Sequence, residues 1–194
     1  MSNNGAMFHE EFVAKQAMHY NMPAMTKYLS DELNERLESA IRDAGDYFAG
    51  RNTSASCLMT RWDMHDYYDS FVEISEAAIT VAEGGALAVR THPDGTINPI
   101  KLYLQESWGL IYEKGHICKA HTHWPSVWSY TYCVKACDTC APLVFPSATG
   151  GGYEIFPVTS QLIVFPSWVS HAVPEHKCDH ERIMISGNLD VRWD

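Results

Sequence analysis

A chain of 194 residues has the length of one ordinary domain and can bury a core of its own. Its 14 basic and 24 acidic side chains leave a formal charge of −10, without the basic footprint that draws a protein to phosphate backbones, so no direct nucleic-acid partner is expected. No run approaches the roughly 20 apolar residues of a membrane span, and MSNNGAMFHEEFVAKQ lacks the cationic start and apolar core of a secretory signal; a cytoplasmic protein that engages no membrane is expected.

Residues 1–25 show no sustained apolar period and read as a peripheral N-terminal arm, leaving 26–194 as a single domain. Ser30 can cap a helix whose first turn carries Asp31 and Glu32, and Leu33, Leu37, Ile41, Ala44 and Phe48 recur at helical spacing, which predicts a helix ending near Gly50. A second helix is predicted from Tyr67 to Glu83, with Phe71, Ile74, Ala78 and Val81 on one stripe and a stop at Gly84-Gly85. Both helices should buttress a sheet.

Beyond Ile100 the pattern changes to short aromatic or β-branched runs, LYLQESWGLIYE, VWSYTYCVK, LVFP, GGYEIFP, SQLIVFP and ERIMIS, separated by turn residues. Strands in such succession favour a mainly β fold of barrel or jelly-roll type with flanking helices. No internal repeat or interdomain linker interrupts it.

In AHTHWPS, His121 and His123 stand two residues apart, and on a strand that spacing points both imidazoles to one face, sufficient for two metal ligands. A third can come from His171, which follows QLIVF and a Pro-containing turn. The alternative is a surface or core-edge pair without metal. His116, His176 and His180 read as surface histidines. Arg182, Met184 and Ser186 share one face of the last run and Ile183 and Ile185 the other, so Arg182 points inward, to an anion or a structural salt bridge. Trp124, Trp128, Tyr130, Tyr132 and Trp168 either wall a substrate mouth or serve as plain core.

The six cysteines, Cys57, Cys118, Cys133, Cys137, Cys140 and Cys178, lack the dense arrangement of a small secreted scaffold and are expected as reduced thiols. Cys133, Cys137 and Cys140, spaced C-x3-C-x2-C, could recruit Cys178 into a zinc site; loop-borne free thiols are the simpler account.

Taken in order, WGLIYEKGHICKAHTHWPSVWSYTYCVK, QLIVFPSWVSHAVPE and ERIMISGN resemble a 2-oxoglutarate and Fe(II)-dependent oxygenase family frequent in marine bacteria and phages, related to the prolyl 4-hydroxylases. The resemblance spans about residues 25 to 194 and is strongest after Trp108. It implies a double-stranded β-helix, the cupin-like jelly roll, and Fe(II) with 2-oxoglutarate as co-substrate. Such sites commonly bind iron through two His and one carboxylate. Here His123 stands where the carboxylate is expected, and no Asp or Glu occurs from Gly115 to Lys135, so a three-histidine face of His121, His123 and His171 is inferred. Arg182 would hold the far carboxylate of 2-oxoglutarate, with Tyr112, nine residues before His121, reaching the same group. The family's Arg-x-Ser pair is matched only at Arg182, because Met184 occupies the second position; Ser186, one strand period on, is the candidate substitute.

The activity implied is hydroxylation of an unactivated C–H bond in a small-molecule or peptide substrate, with peptidyl proline favoured. Two alternatives remain: a cupin-like three-histidine metalloenzyme that does not use 2-oxoglutarate, and a non-catalytic binding module on the same fold.

Overall fold

The computed structural model describes residues 25–49, 53–85, 89–91, 97–99, 101–146 and 152–192. The predicted arm lies outside them except for Met25, which opens β1 (Met25–Tyr28). Ser30 caps helix α1 (Asp31–Ala44), its hydroxyl accepting from the Glu32 N–H at 3.2 Å, while Asp31 and Glu32 complement the positive end of the helix dipole. Leu33, Leu37 and Ile41 are buried beneath it.

The helix stops at Ala44, earlier than its apolar spacing predicts. Gly45 adopts φ 67° and its N–H closes on the Ile41 carbonyl at 3.2 Å. The Asp46 carboxylate then accepts from the backbone N–H groups of Phe48 and Met59, both at 3.2 Å, turning the chain into β2 (Leu58–Met59). Phe48 is thereby freed from the helical stripe. A short 3-10 turn, Met64–Asp66, leads into α2 (Asp69–Gly85), which starts two residues after the predicted Tyr67 and buries Phe71, Ile74, Ala78 and Val81 as expected.

Strands β3 (Val89–Thr91) and β4 (Ile97–Pro99) form a separate hairpin. The remaining strands are β5 (Lys101–Tyr112), β6 (Cys118–His121), β7 (Trp128–Lys135), β8 (Leu143–Pro146), β9 (Gly152–Ile155), β10 (Gln161–Pro166), β11 (His171–Val173) and β12 (Arg182–Arg192). They make two antiparallel sheets, a six-stranded one in the order β1-β10-β7-β12-β5-β2 and a four-stranded one in the order β6-β11-β8-β9. This is the expected mainly β jelly roll with flanking helices. No helix among the described residues is long and apolar enough to cross a membrane.

Alternation along the strands divides the interior in two. Trp128, Tyr130, Tyr132 and Val134 of β7, with Ile183, Ile185 and Leu189 of β12, face the helices and pack with Leu37, Ile41, Phe71 and Ile74. Trp108, Leu110 and Tyr112 of β5, with Cys133, Phe165 and Met184, face the smaller sheet and meet Leu143, Phe145 and Val173. A cavity opens on this second side. Trp128 and Tyr132 are therefore core residues of the helix side, whereas Trp124 and Trp168 are exposed.

Strand β12 runs well beyond the predicted ERIMIS, through Gly187 and Asn188 to Arg192. The strand continues through Gly187 because it pairs with Ser107 of β5 and Tyr130 of β7, and glycine is required there because a Cβ would fall on the Tyr130 ring. That ring cannot yield cheaply, since its hydroxyl is bonded to Ser75 at 2.8 Å and Ser107 at 2.7 Å in a buried network. Gly187→Ala is expected to lower stability by about 1–3 kcal/mol, the range for overpacking. Urea unfolding measures it, and an unchanged midpoint would refute the close packing.

Candidate metal centre

His121 closes β6 and His171 opens β11, and the two are direct cross-strand partners. Pairing across a ladder brings such side chains together, and the ring centroids lie 4.4 Å apart. His123 arrives by a different route from the one its spacing predicts. Strand β6 ends at His121, so no strand pleat aligns the pair; Pro125, lacking an N–H, lies just ahead where the chain crosses to β7. Turn hydrogen bonds position His123 instead: its N–H donates to the Ser167 carbonyl at 2.8 Å and its carbonyl accepts from the Ser126 N–H at 3.0 Å. Its ring stacks on His171 at 14° with centroids 5.0 Å apart.

The local hydrogen bonds leave nitrogens available for a metal. His121 Nδ1 contacts the Lys119 carbonyl at 2.8 Å, and His171 Nδ1 the Val169 carbonyl at 3.0 Å. A proton held on Nδ1 by a carbonyl leaves the Nε2 lone pair for an ion. His123 Nε2 and His171 Nε2 are 3.2 Å apart, close to the separation of about 3 Å expected for adjacent ligands about 2.1 Å from an octahedral metal. One potential ligand atom from each of the three histidines lies within 4.8 Å of the others, and no carboxylate joins the group among the described residues. Glu106 lines the same cavity but accepts from Asn188 Nδ2 at 2.5 Å. The donor set therefore fits a metal ion with a face of neutral imidazoles.

Burial, reinforced by the neighbouring imidazoles, lowers His123 to about 3, and burial with the nearby His121 lowers His171 to about 4. Both rings are neutral near pH 7, the form that ligates metal.

The histidines open on a cavity of about 460 Å³, and Tyr112, Arg182, Met184 and Ser186 line it as well. Arg182 is 2% exposed, and its Nε has no hydrogen-bond partner. Its Cζ stands 4.9 Å from the centre of the Tyr112 ring, its neighbour across the β5–β12 ladder. Among the described residues no carboxylate pairs with it. The salt-bridge alternative is thus absent there. An isolated buried cation is costly, and a carboxylate entering the cavity would relieve it. The fully buried Tyr112 phenol is held well above its ordinary pKa, chiefly by desolvation, so it stays a neutral donor.

Sequence reasoning missed three contributors. Phe48 and Trp62 stack at 5.1 Å, and Trp62 lies 6.3 Å from Trp108; all three rings line the cavity. Thr131 faces Ser186 across the β7–β12 ladder and also lines it. Alternation along VWSYTYCVK placed Thr131 opposite the helix-facing aromatics and could have revealed it; no local signal marked Phe48 or Trp62.

Elsewhere, His176 is fully buried, contrary to its surface assignment. Its Nδ1 accepts from the Ala141 N–H at 3.3 Å and its Nε2 contacts the His180 carbonyl at 2.7 Å, which satisfies the ring inside the turn. His180 is exposed and His116 half-buried. Cys137, Cys140 and Cys178 converge, whereas Cys133 turns into the core between the sheets.

No family model matches the sequence, and no curated protein does. Solved structures do match. The viral collagen prolyl hydroxylase of Paramecium bursaria Chlorella virus-1, in complex with 2-oxoglutarate, superposes with a TM-score of 0.66 at 15% identity, over 86% of this chain and 94% of that one. A prolyl-4-hydroxylase from Pseudomonas putida gives 0.62 at 16% identity, covering 88% and 93%. HygX from Streptomyces hygroscopicus, with nickel, 2-oxoglutarate and hygromycin B bound, gives 0.62 at 8% identity, covering 87% and 83%. The fold is the one these oxygenases share.

The lowered histidines set a pH dependence. In the unfolded chain they bind protons below about pH 6.5, whereas in the folded metal-free protein they resist protonation down to about 4 and about 3. Their stability contribution is therefore complete above about pH 6.5 and is lost as pH falls through the folded values. Urea unfolding of the metal-free protein should show a loss on the order of 3 kcal/mol between pH 7 and 4 from His171 alone, absent in His171→Gln. An equal decline in that variant would exclude the assignment.

Proposed function

We propose that the protein is a 2-oxoglutarate- and Fe(II)-dependent dioxygenase that hydroxylates an unactivated C–H bond. The observation that carries the reading is the buried guanidinium of Arg182, which no carboxylate among the described residues pairs, in the same cavity as the three converging histidines. The shared fold supports it, as do the sequence segments resembling the oxygenase family of marine bacteria and phages.

In this reading His121, His123 and His171 hold one face of the ion. When bound, ferrous iron and 2-oxoglutarate supply the oxidising chemistry: dioxygen delivers one oxygen atom to the substrate and one to succinate, with release of carbon dioxide. Three neutral ligands leave the metal's charge uncompensated, and the dianionic co-substrate supplies the balance. Arg182 grips the far carboxylate through its planar fork, and Tyr112 donates its phenolic proton to the same group. Met184 lacks the hydroxyl of the family's serine, a hydrogen bond to charge worth about 1.5–3 kcal/mol. Ser186, on the cavity side, provides the replacement hydroxyl, whereas the Thr131 hydroxyl is already spent on the Ile185 carbonyl at 3.1 Å.

Phe48, Trp62 and Trp108 form an apolar wall that suits a compact aliphatic ring, which favours peptidyl proline over other small-molecule or peptide substrates. Two of the similar solved structures are prolyl hydroxylases. The catalytic unit is taken as one domain over 26–194, acting in the cytoplasm without a nucleic-acid partner. The carboxylate-free donor set favours one other reading, a three-histidine dioxygenase that consumes oxygen without a keto acid.

Anaerobic titration of the Fe(II)-loaded protein with 2-oxoglutarate should raise the visible charge-transfer band of a keto acid chelated to ferrous iron. Iron bound without such a band would transfer the assignment to the keto-acid-independent reading. His171→Ala should abolish iron binding, while Arg182→Ala should retain iron and weaken 2-oxoglutarate about a hundredfold, from the loss of about 3 kcal/mol of charged hydrogen bonding. Unchanged iron stoichiometry in His171→Ala would sink the ligand assignment.

A further inference from the structure

The loop between β7 and β8 meets the loop between β11 and β12 at three thiols that the cavity does not use. Cys137 Sγ lies 3.4 Å from Cys140 Sγ and 3.4 Å from Cys178 Sγ, and the third side of the triangle, Cys140 to Cys178, is 3.8 Å. All three cysteines are unbridged. A disulfide requires about 2.05 Å. Thiolates bound about 2.3 Å from a tetrahedral zinc stand about 3.8 Å apart, so the triangle has nearly the size of one face of such a site.

The sequence around the thiols has ligand spacing on both loops. Cys137-Asp138-Thr139-Cys140 is a C-x2-C turn, and Cys178-Asp179-His180 is a C-x-H turn. His180 is exposed, and its Nδ1 already lies 3.8 Å from Cys178 Sγ. His176 Nε2 is at 3.6 Å from the same sulfur, but both ring nitrogens are engaged by the backbone, with the Ala141 N–H and the His180 carbonyl. The available fourth imidazole is therefore His180.

Backbone donors support charge on the sulfurs. The Cys137 N–H points to Cys140 Sγ at 3.2 Å, and the His180 N–H to Cys178 Sγ at 3.3 Å. The Cys140 N–H closes the first turn on the Cys137 carbonyl at 3.0 Å. Such N–H···S contacts orient thiolates and fix their direction before a metal arrives.

We propose that Cys137, Cys140 and Cys178, completed by a small swing of His180, form a structural zinc site that clips the two loops together. Four protein ligands close the coordination sphere, so the ion has no open position for chemistry. Binding releases the thiol protons and exchanges no electrons. The clip has a positional consequence, because Cys178 lies four residues before Arg182, the first residue of β12. Anchoring that loop to the end of β7 fixes where β12 enters the sheet, and hence the placement of Arg182 against Tyr112. The clip does not depend on the oxygenase reading, and its readout is zinc content and cobalt spectra, not turnover.

The test uses the full chain, purified under reducing, chelator-free conditions. Elemental analysis should find about one zinc per chain that survives His171→Ala and is lost in Cys178→Ser. Cobalt(II) exchanged into the wild type should show a thiolate-to-cobalt charge-transfer band and the intense visible bands of a tetrahedral site. Both should persist in His171→Ala. In His180→Ala the visible bands should shift while the thiolate band remains. Because buried Cys140 is a poor choice for substitution, Cys137→Ser at the half-exposed position serves as the second thiol variant, with zinc affinity expected to fall about a hundredfold or more. A wild-type protein that takes up cobalt with no thiolate band would overturn the proposal, as would a disulfide that forms between two of the three cysteines when the freshly reduced, zinc-loaded protein is exposed to air.

Discussion

The central strand β12 is hydrogen-bonded along one edge to β5 and along the other to β7, and this double pairing governs both sides of the molecule. Its period of two sends Ile183, Ile185 and Leu189 to the helices and Arg182, Met184 and Ser186 to the cavity. A slip of one residue would drive a guanidinium into an aliphatic core and expose isoleucines to the site. Register is held at the helix side by close packing, with Tyr130 over Gly187 and Ile41 over Gly109. The apolar half of the fold thus holds the polar half in place.

Electrostatics then narrow what the cavity can accept. Burial keeps His123 and His171 neutral and leaves the Arg182 guanidinium with no carboxylate partner among the described residues, and a divalent ion adds further positive charge beside it. A small dianion that can chelate at one end and enter an arginine fork at the other meets both demands with a single molecule. The Tyr112 phenol, neutral through burial, adds a donor beside Arg182 without adding charge. The neighbouring thiols Cys57, Cys118 and Cys133 are themselves pushed upward by burial, so they contribute little negative charge that could compete with a ligand.

The loops contribute through local hydrogen bonding where the sheets do not reach. His123 is aimed by its N–H bond to Ser167, and the turn before β12 is held by the buried ring of His176. Both are cases in which polar backbone groups, which must be paired when buried, and a side chain fix each other's direction.

The sequence by itself determined the strand succession after Ile100, the capping of α1 by Ser30 and the two faces of ERIMIS, because each is written in spacing over a few residues; it singled out His121, His123 and His171, but their convergence across 48 residues is the work of the fold. It misread the end of α1, the strand placement of His123, the exposure of His176 and the stopping point of β12. The first was decided by a glycine in the left-handed region, the second and third by hydrogen bonds to distant backbone, and the last by pairing of β12 with β5 and β7 beyond Ser186. Only the tertiary structure brought Phe48 and Trp62 to the cavity, left Arg182 without a counter-charge among the described residues, and separated Cys133 from Cys137, Cys140 and Cys178. Those outcomes depend on contacts between segments far apart in the chain, and no local period records them.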